Sequence, residues 1–161
     1  ACLEWRREWD KLTWLHFAAY FGWQATTHAL IDSGAQLDVF SKHGDTPLFV
    51  AVYNNKVATT RLLLENCADA NATRRSLGFS PFHLAASRGH GDCLQLLLHY
   101  GANIEQRNKF RCTALHVAAA WGHREVTQLL IDAGADLTAL DIFCLTPEQT
   151  AWEEGHEDVA A

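Results

Sequence analysis

Apolar residues in this chain fall into short clusters, and the clusters come in pairs. The clearest pair lies between residues 113 and 136. Thr113 precedes Ala114-Leu115-His116-Val117-Ala118-Ala119, Gly122-His123 interrupts, and Val126, Leu129 and Leu130 follow at spacings of three and four before Gly134. Such spacing sets side chains on one face of a helix, so the pattern predicts two helices of about ten residues each. Thr113 can accept a hydrogen bond from an orphan N–H group as an N-cap. Gly122 can end the first helix in the left-handed conformation that glycine adopts at little cost. A hairpin this short cannot bury its own apolar face. It needs neighbours stacked against it.

The neighbours are present in the sequence. Thr13, Thr46, Ser80, Thr113 and Thr146 recur at spacings of 33, 34, 33 and 33. Each opens a variant of one phrase: Thr13-Trp14-Leu15-His16, Thr46-Pro47-Leu48-Phe49, Ser80-Pro81-Phe82-His83, Thr113-Ala114-Leu115-His116 and Thr146-Pro147-Glu148-Gln149. Proline at the first helical position suits the N–H that would be unsatisfied there. A period of this size marks stacked repeats rather than one closed globule.

The Thr-Pro-Leu-His-x-Ala-Ala phrase, the Gly-His pairs 89–90, 122–123 and 155–156, the Leu-Leu pairs and the closing Gly-Ala-Asp of residues 134–136 resemble the ankyrin-repeat family. The resemblance covers nearly the whole chain in five registered copies. It implies an all-α fold: an ankyrin-repeat solenoid of stacked helix-turn-helix units with outward β-turn loops, first helices on the concave side. Residues 1–161 then form a single domain, with repeats at approximately 8–40, 41–74, 75–107, 108–140 and an incomplete 141–161.

Departures from the phrase carry expectations of their own. Asn55-Lys56 replaces Gly-His, and Cys67 stands where the loop glycine belongs. Outside glycine, a positive φ costs on the order of 1 kcal/mol, which predicts local strain in repeat two. One extra residue lies between Asn71 and Ser80, and the loop 72–77 is expected to protrude. Trp5, Trp9 and Trp14 are expected near the N-terminal end of the stack. Trp152 occupies a position that interior repeats fill with a small residue, and we expect it to meet a further repeat of a longer parent chain.

Composition narrows the function classes. With 48% hydrophobic and 20% charged residues the chain has apolar surface enough for a core. The formal charge is −6, which disfavours general nucleic-acid binding. The acidity is local. Beyond Glu125 there is no Lys or Arg, while Asp132, Asp136, Asp141, Glu148, Glu153, Glu154, Glu157 and Asp158 follow. No run of 18 or more apolar residues exists, so membrane insertion is not expected. The five cysteines are odd in number and widely separated, which favours reduced thiols and a cytoplasmic or nuclear protein over a disulfide framework or a zinc site. Of nine histidines, six fall in the two repeat slots: His16, His83 and His116, then His90, His123 and His156. The resemblance makes these structural. No nucleophile-and-base arrangement or phosphate-cradling glycine loop stands out, so neither an enzyme nor a cofactor is expected.

The positions that the repeat leaves free carry the functional expectation. In the family these are the loop tips and two first-helix positions before Gly-His. Here they supply Tyr20, Phe21, Lys42, His43, Tyr53, Asn54, Leu77, Phe79, Arg88, Lys109, Phe110, Trp121 and Phe143. Many are aromatic, and exposed aromatics resemble binding anchors. The expectation is a concave protein-binding groove centred on Tyr53, Phe110 and Trp121, with Arg74, Arg75, Arg88, Arg107, Lys109 and Arg111 as a cationic rim. The partner would be another protein, or a domain of the same parent chain if this is a regulatory segment of a larger signalling protein or enzyme. Self-association is a third class. Finally, Leu63 upstream of Asp69-Ala70-Asn71 resembles the pattern of an intracellular asparaginyl hydroxylase, which marks Asn71 for modification.

Overall fold

The computed structural model describes residues 12–160; Cys2, Trp5, Trp9 and Asp10 lie outside the described residues. Helices α1 (Trp14–Phe21), α3 (Pro47–Tyr53), α5 (Pro81–Arg88), α7 (Ala114–Ala120) and α9 (Pro147–Glu153) alternate with α2 (Gln24–Asp32), α4 (Val57–Glu65), α6 (Gly91–His99), α8 (Arg124–Asp132) and α10 (Glu157–Ala160). Odd helices pack on odd helices and even on even, so the hairpins form two parallel layers. No strand occurs among the described residues.

The 33-residue register turns one-dimensional repetition into columns. Leu15, Leu48, Phe82 and Leu115 line up in the first layer and are all buried, and Leu63, Leu97 and Leu130 do the same in the second. Ala18, Ala51, Ala85, Ala118 and Ala151 form a wholly buried column between them, where a methyl group lets consecutive helices approach. Hydrophobic burial along these columns supplies the stability that a lone hairpin lacks. In the fifth copy the leucine column ends at Glu148, which is exposed.

Three first helices, α1, α5 and α7, are capped by residues that also bind the next copy. The backbone N–H of Thr13 donates to His16 Nδ1 at 3.1 Å, and the Thr13 hydroxyl lies 2.9 Å from the same atom. Thr113 and His116 repeat the arrangement at 3.2 and 2.9 Å, and Ser80 and His83 at 3.4 and 2.9 Å. With Nδ1 accepting, the proton of the neutral ring sits on Nε2. That atom donates to the carbonyl of Asp45, Cys112 or Leu145 in the following loop, at 3.0, 3.1 and 3.1 Å. Burial lowers the pKa of all three imidazoles below 6.5, against smaller opposing pulls from the backbone carbonyls. A second proton would have to point at donors.

The Gly-His pairs lock the stack from the other side. His123 Nε2 donates to Ser87 O at 3.0 Å, and His90 Nδ1 to Val52 O at 2.9 Å. Gly122, at φ 68°, needs to be glycine twice over: besides the backbone conformation, a Cβ there would stand 2.6 Å from His156 Nδ1.

Among the described residues, four non-glycine residues take positive φ: Asn55 (51°), Cys67 (67°), Arg111 (59°) and Cys144 (61°). The first two fall in repeat two, where the sequence departs from the phrase. The other two sit in the turn position that Gly44 and Gly78 fill in earlier loops. Asparagine tolerates this region, whereas cysteine does not gain a local hydrogen bond from it. Cys67→Gly is therefore expected to stabilise the fold by about 1 kcal/mol, read as a higher midpoint in urea denaturation. An unchanged or lower midpoint would show that Cys67 is not strained.

The extra residue of the third repeat has a definite place. Gly44 N bonds Ser41 O, Arg111 N bonds Asn108 O and Cys144 N bonds Asp141 O, each spanning three residues. The corresponding bond in the longer loop runs from Gly78 N to Arg74 O and spans four. The insertion thus lies within Arg75-Ser76-Leu77. The fingertips are tied in sequence, Lys109 N to Leu77 O at 3.1 Å and Ile142 N to Phe110 O at 2.9 Å. At the loop bases a polar side chain of one copy caps the next: Asp38 accepts from Asp69 N, Asn71 from Asn103 N and Glu105 from Asp136 N.

Candidate functional site

The first helices present their C-terminal turns, and the loops their inner faces, to the same side of the stack. Between them lies an open cavity of about 410 Å³, lined by Phe49, Tyr53, Arg74, Leu77, Phe79, Leu84, Ser87, Arg88 and Trp121. Three consecutive copies contribute to it. Tyr53 comes from the end of α3, Arg88 from the end of α5 and Trp121 from the residue that closes α7. Leu77 and Phe79 come from the lengthened loop, so the insertion carries apolar side chains to the cavity.

The charges of the site are held in place. The Arg88 guanidinium lies over the Tyr53 ring at 4.0 Å. Arg74 Nε donates to His43 O at 3.1 Å and pairs with Asp45 Oδ1 at 2.9 Å, with its guanidinium 5.8 Å from the Phe49 centroid. Phe79 leans on His83 with centroids 5.5 Å apart, linking the cavity wall to the buried imidazole. Trp121 remains 64% exposed although it borders the cavity.

Of the thirteen residues expected from the sequence, the cavity gathers Tyr53, Leu77, Phe79, Arg88 and Trp121. The others lie elsewhere. Tyr20 and Phe21 belong to a separate exposed cluster at the end of α1, where Phe21 stacks on Trp23 at 4.7 Å and Tyr20 meets Phe21 edge-on at 5.0 Å. Asn54 folds back on its own helix, its Nδ2 donating to Val50 O at 2.9 Å. Lys42 and His43 are exposed at the second loop tip. Lys109 is spent on the neighbouring loop, with Nζ 2.6 Å from Arg75 O. Phe110 sits on the crest of its turn, and Phe143, 76% exposed, on the crest of the next. Phe110 therefore does not line the cavity that it was expected to centre, because a turn crest stands farther out than the foot of the finger. Phe79, at that foot, takes the place.

Arg74, expected in the cationic rim, also lines the cavity, and Phe49 and Leu84 line it without having been singled out from the sequence. Phe49 had a signal: it replaces histidine in the Leu-His slot of repeat two, and a substitution there frees the position for another role.

Neither Cys112 nor Cys93 is set up as a nucleophile. Burial, helped by Asp141, pushes the Cys112 thiol up to about 11, the opposite of what a reactive thiolate needs. Burial also raises Cys93, which lies in the core against Asn55 and Thr60. Among the described residues no group of three or more His, Cys, Asp or Glu side chains could hold a metal ion, and no helix is long and apolar enough to cross a membrane.

Comparison with known proteins places this geometry in a wider set. The chain is 37% identical over 110 residues to the mouse (Mus musculus) B-cell lymphoma 3 protein homolog, which covers 68% of this chain and 24% of that protein. It is 35% identical over 96 residues to ankyrin repeat and SOCS box protein 3 of Bos taurus, covering 58% and 18%. Tyrosine-protein kinase HTK16 of Hydra vulgaris matches at 31% over 98 residues, covering 60% and 13%. The chain thus spans no more than 24% of the length of these relatives. The three differ in overall nature, and what they share with this chain is the repeat. The model of ankyrin repeats (3 copies) matches residues 3–75 and 60–141. With columns, caps and fingertips all in that register, the chain belongs to the ankyrin-repeat family, whose repeats act mainly as non-enzymatic modules of protein–protein interaction.

Proposed function

We propose that this chain grips a partner protein in the concave cavity between α3, α5 and α7 and the loops before them. The observation that carries the reading is the convergence of Tyr53, Leu77, Phe79, Arg88 and Trp121, from three copies, on one open hollow. Tyrosine, tryptophan and arginine are the side chains that most often dominate binding energy. In a pull-down, the Tyr53→Ala/Trp121→Ala double variant should lose at least about tenfold in affinity for any partner that the unaltered chain retains, since two hot-spot truncations remove several kcal/mol. Phe143→Ala, outside the cavity, should bind as the unaltered chain does. A partner held equally by the double variant would refute the groove.

A second reading places the partner within the same polypeptide, as a regulatory segment docked on another domain of its parent. It is favoured by the small share of its relatives that the chain spans, one of them a tyrosine-protein kinase. The same cavity serves both readings. In either case we assign the chain to a reducing compartment, cytoplasm or nucleus, in keeping with the Cys93 thiol packed in its core. Hydroxylation of Asn71 belongs to this proposal too. Its Oδ1 accepts from Asn103 N at 2.7 Å and its Nδ2 donates to Gly101 O at 3.2 Å, so an enzyme would have to open the loop base to reach it. Mass spectrometry of the native protein that finds only unmodified Asn71 would remove this part.

A further inference from the structure

The distribution of charge around the cavity says more about its occupant than the net charge does. Helices α3, α5 and α7 contain no acidic residue. The loop segments that face them, residues 41–46, 72–80 and 107–113, carry Lys42, Arg74, Arg75, Arg107, Lys109 and Arg111 against a single acid, Asp45. That acid is already engaged by Arg74 at 2.9 Å. The acids that make the chain −6 lie mostly on the even helices and beyond Glu125. With Arg74 and Arg88 as the charged groups of its lining, the cavity is a local cation on an anionic molecule, and over a Debye length of about 8 Å the local charge decides what is held there.

Arg88 is the residue placed to read an anion. It is exposed, with no acidic partner within ion-pair distance among the described residues. Stacking on Tyr53 at 4.0 Å engages only the face of its guanidinium. The N–H groups lie in the plane of that fork and stay available, pre-aligned for a two-pronged bond to a carboxylate. Apolar walls from Phe49, Leu77, Phe79 and Leu84 stand beside it, with Trp121 open on the far side.

We infer that the cavity takes an extended acidic segment of a partner protein, an apolar side chain filling the hollow and an adjacent Asp or Glu carboxylate bound by Arg88. This rests on the groove reading and adds the partner's chemistry to it. Tyr53 acts as the platform that holds the guanidinium, and Arg88 determines specificity.

The test uses two terminally blocked, fluorescent short peptides, each with a central phenylalanine, flanked in one by glutamates and in the other by glutamines. Fluorescence anisotropy at low salt should show the glutamate peptide bound about tenfold or more tighter, since a hydrogen bond between two charged groups is stronger than one to a neutral amide. Arg88→Gln should abolish that preference, bringing the two peptides to equal affinity, and Arg88→Lys should retain it only in part because an ammonium has no planar fork. Circular dichroism of each variant establishes that it is folded. Equal binding of the two peptides, a preference that survives Arg88→Gln, absence of binding by either peptide, or displacement of the glutamate peptide by an oligothymidylate would each overturn the inference. The groove itself is read separately. Trp121→Ala should weaken both peptides alike, and if it changes neither while both bind, the cavity is not where they sit.

Discussion

Phe82→Ala should destabilise the chain by about 3–5 kcal/mol, the range for deleting a wholly buried phenylalanine. Phe82 is 0% exposed and stands in the first-layer column between Leu48 and Leu115. Its helix, α5, packs on both α3 and α7, and the alanines of the adjacent column, Ala51, Ala85 and Ala118, have no longer side chain with which to fill the space. Against a total stability of about 5–15 kcal/mol for a domain, the loss would bring the urea midpoint down by about a fifth or more. Because repeats touch only their neighbours, the damage should fall in the middle of the array and broaden the transition as the two ends separate. A loss below about 1 kcal/mol would mean that Phe82 is not the central core residue the column makes it.

The second large effect is set by pH. His16, His83 and His116 have folded-state pKa values lowered from 6.5 by burial. Between those lowered values and 6.5 the unfolded chain takes up protons that the folded chain refuses. Stability is then fully present above about pH 6.5, falls as the pH drops, and levels off once the folded imidazoles also titrate. Each group contributes a slope of up to about 1.4 kcal/mol per pH unit, or about 4 for the three together. The upper part of the window, from about pH 6.5 to about pH 5, lies above the range where ordinary carboxylates titrate, so urea midpoints measured from about pH 7.5 to about pH 5 read it. The fifth repeat supplies a control of its own: Gln149 Oε1 accepts from Thr146 N at 2.9 Å, doing without titration what His116 Nδ1 does. His116→Gln should cut the slope by about a third. A stability independent of pH across the window would contradict the assigned ring protonation.

How far the sequence revealed all this depends on what a repeat encodes. The cap residues, the hairpin turns and the buried columns were legible because each is enforced at the same offset in several copies. The lengthened loop was legible as a count, and the structure narrows it to Arg75-Ser76-Leu77. The cavity was legible in part. Position within the phrase tells that Tyr53, Arg88 and Trp121 are free, but not how far along the finger a free residue stands, and so Phe110 was grouped with Phe79. Phe49 was hidden for the opposite reason, since its slot reads as structural wherever histidine fills it.

That substitution has a consequence for how the stack responds to its surroundings. The junctions governed by His16, His83 and His116 are fastened by neutral imidazoles, and protons loosen them. At the junction after Phe49 the fastening on the loop side is instead the Arg74–Asp45 ion pair, with the Arg74 side chain 34% exposed, and dissolved salt weakens such a pair. The array thus contains two kinds of seam with different solvents for each. The salt-sensitive one runs through the floor of the cavity, so ionic strength acts on the shape of the binding site and on its charge together.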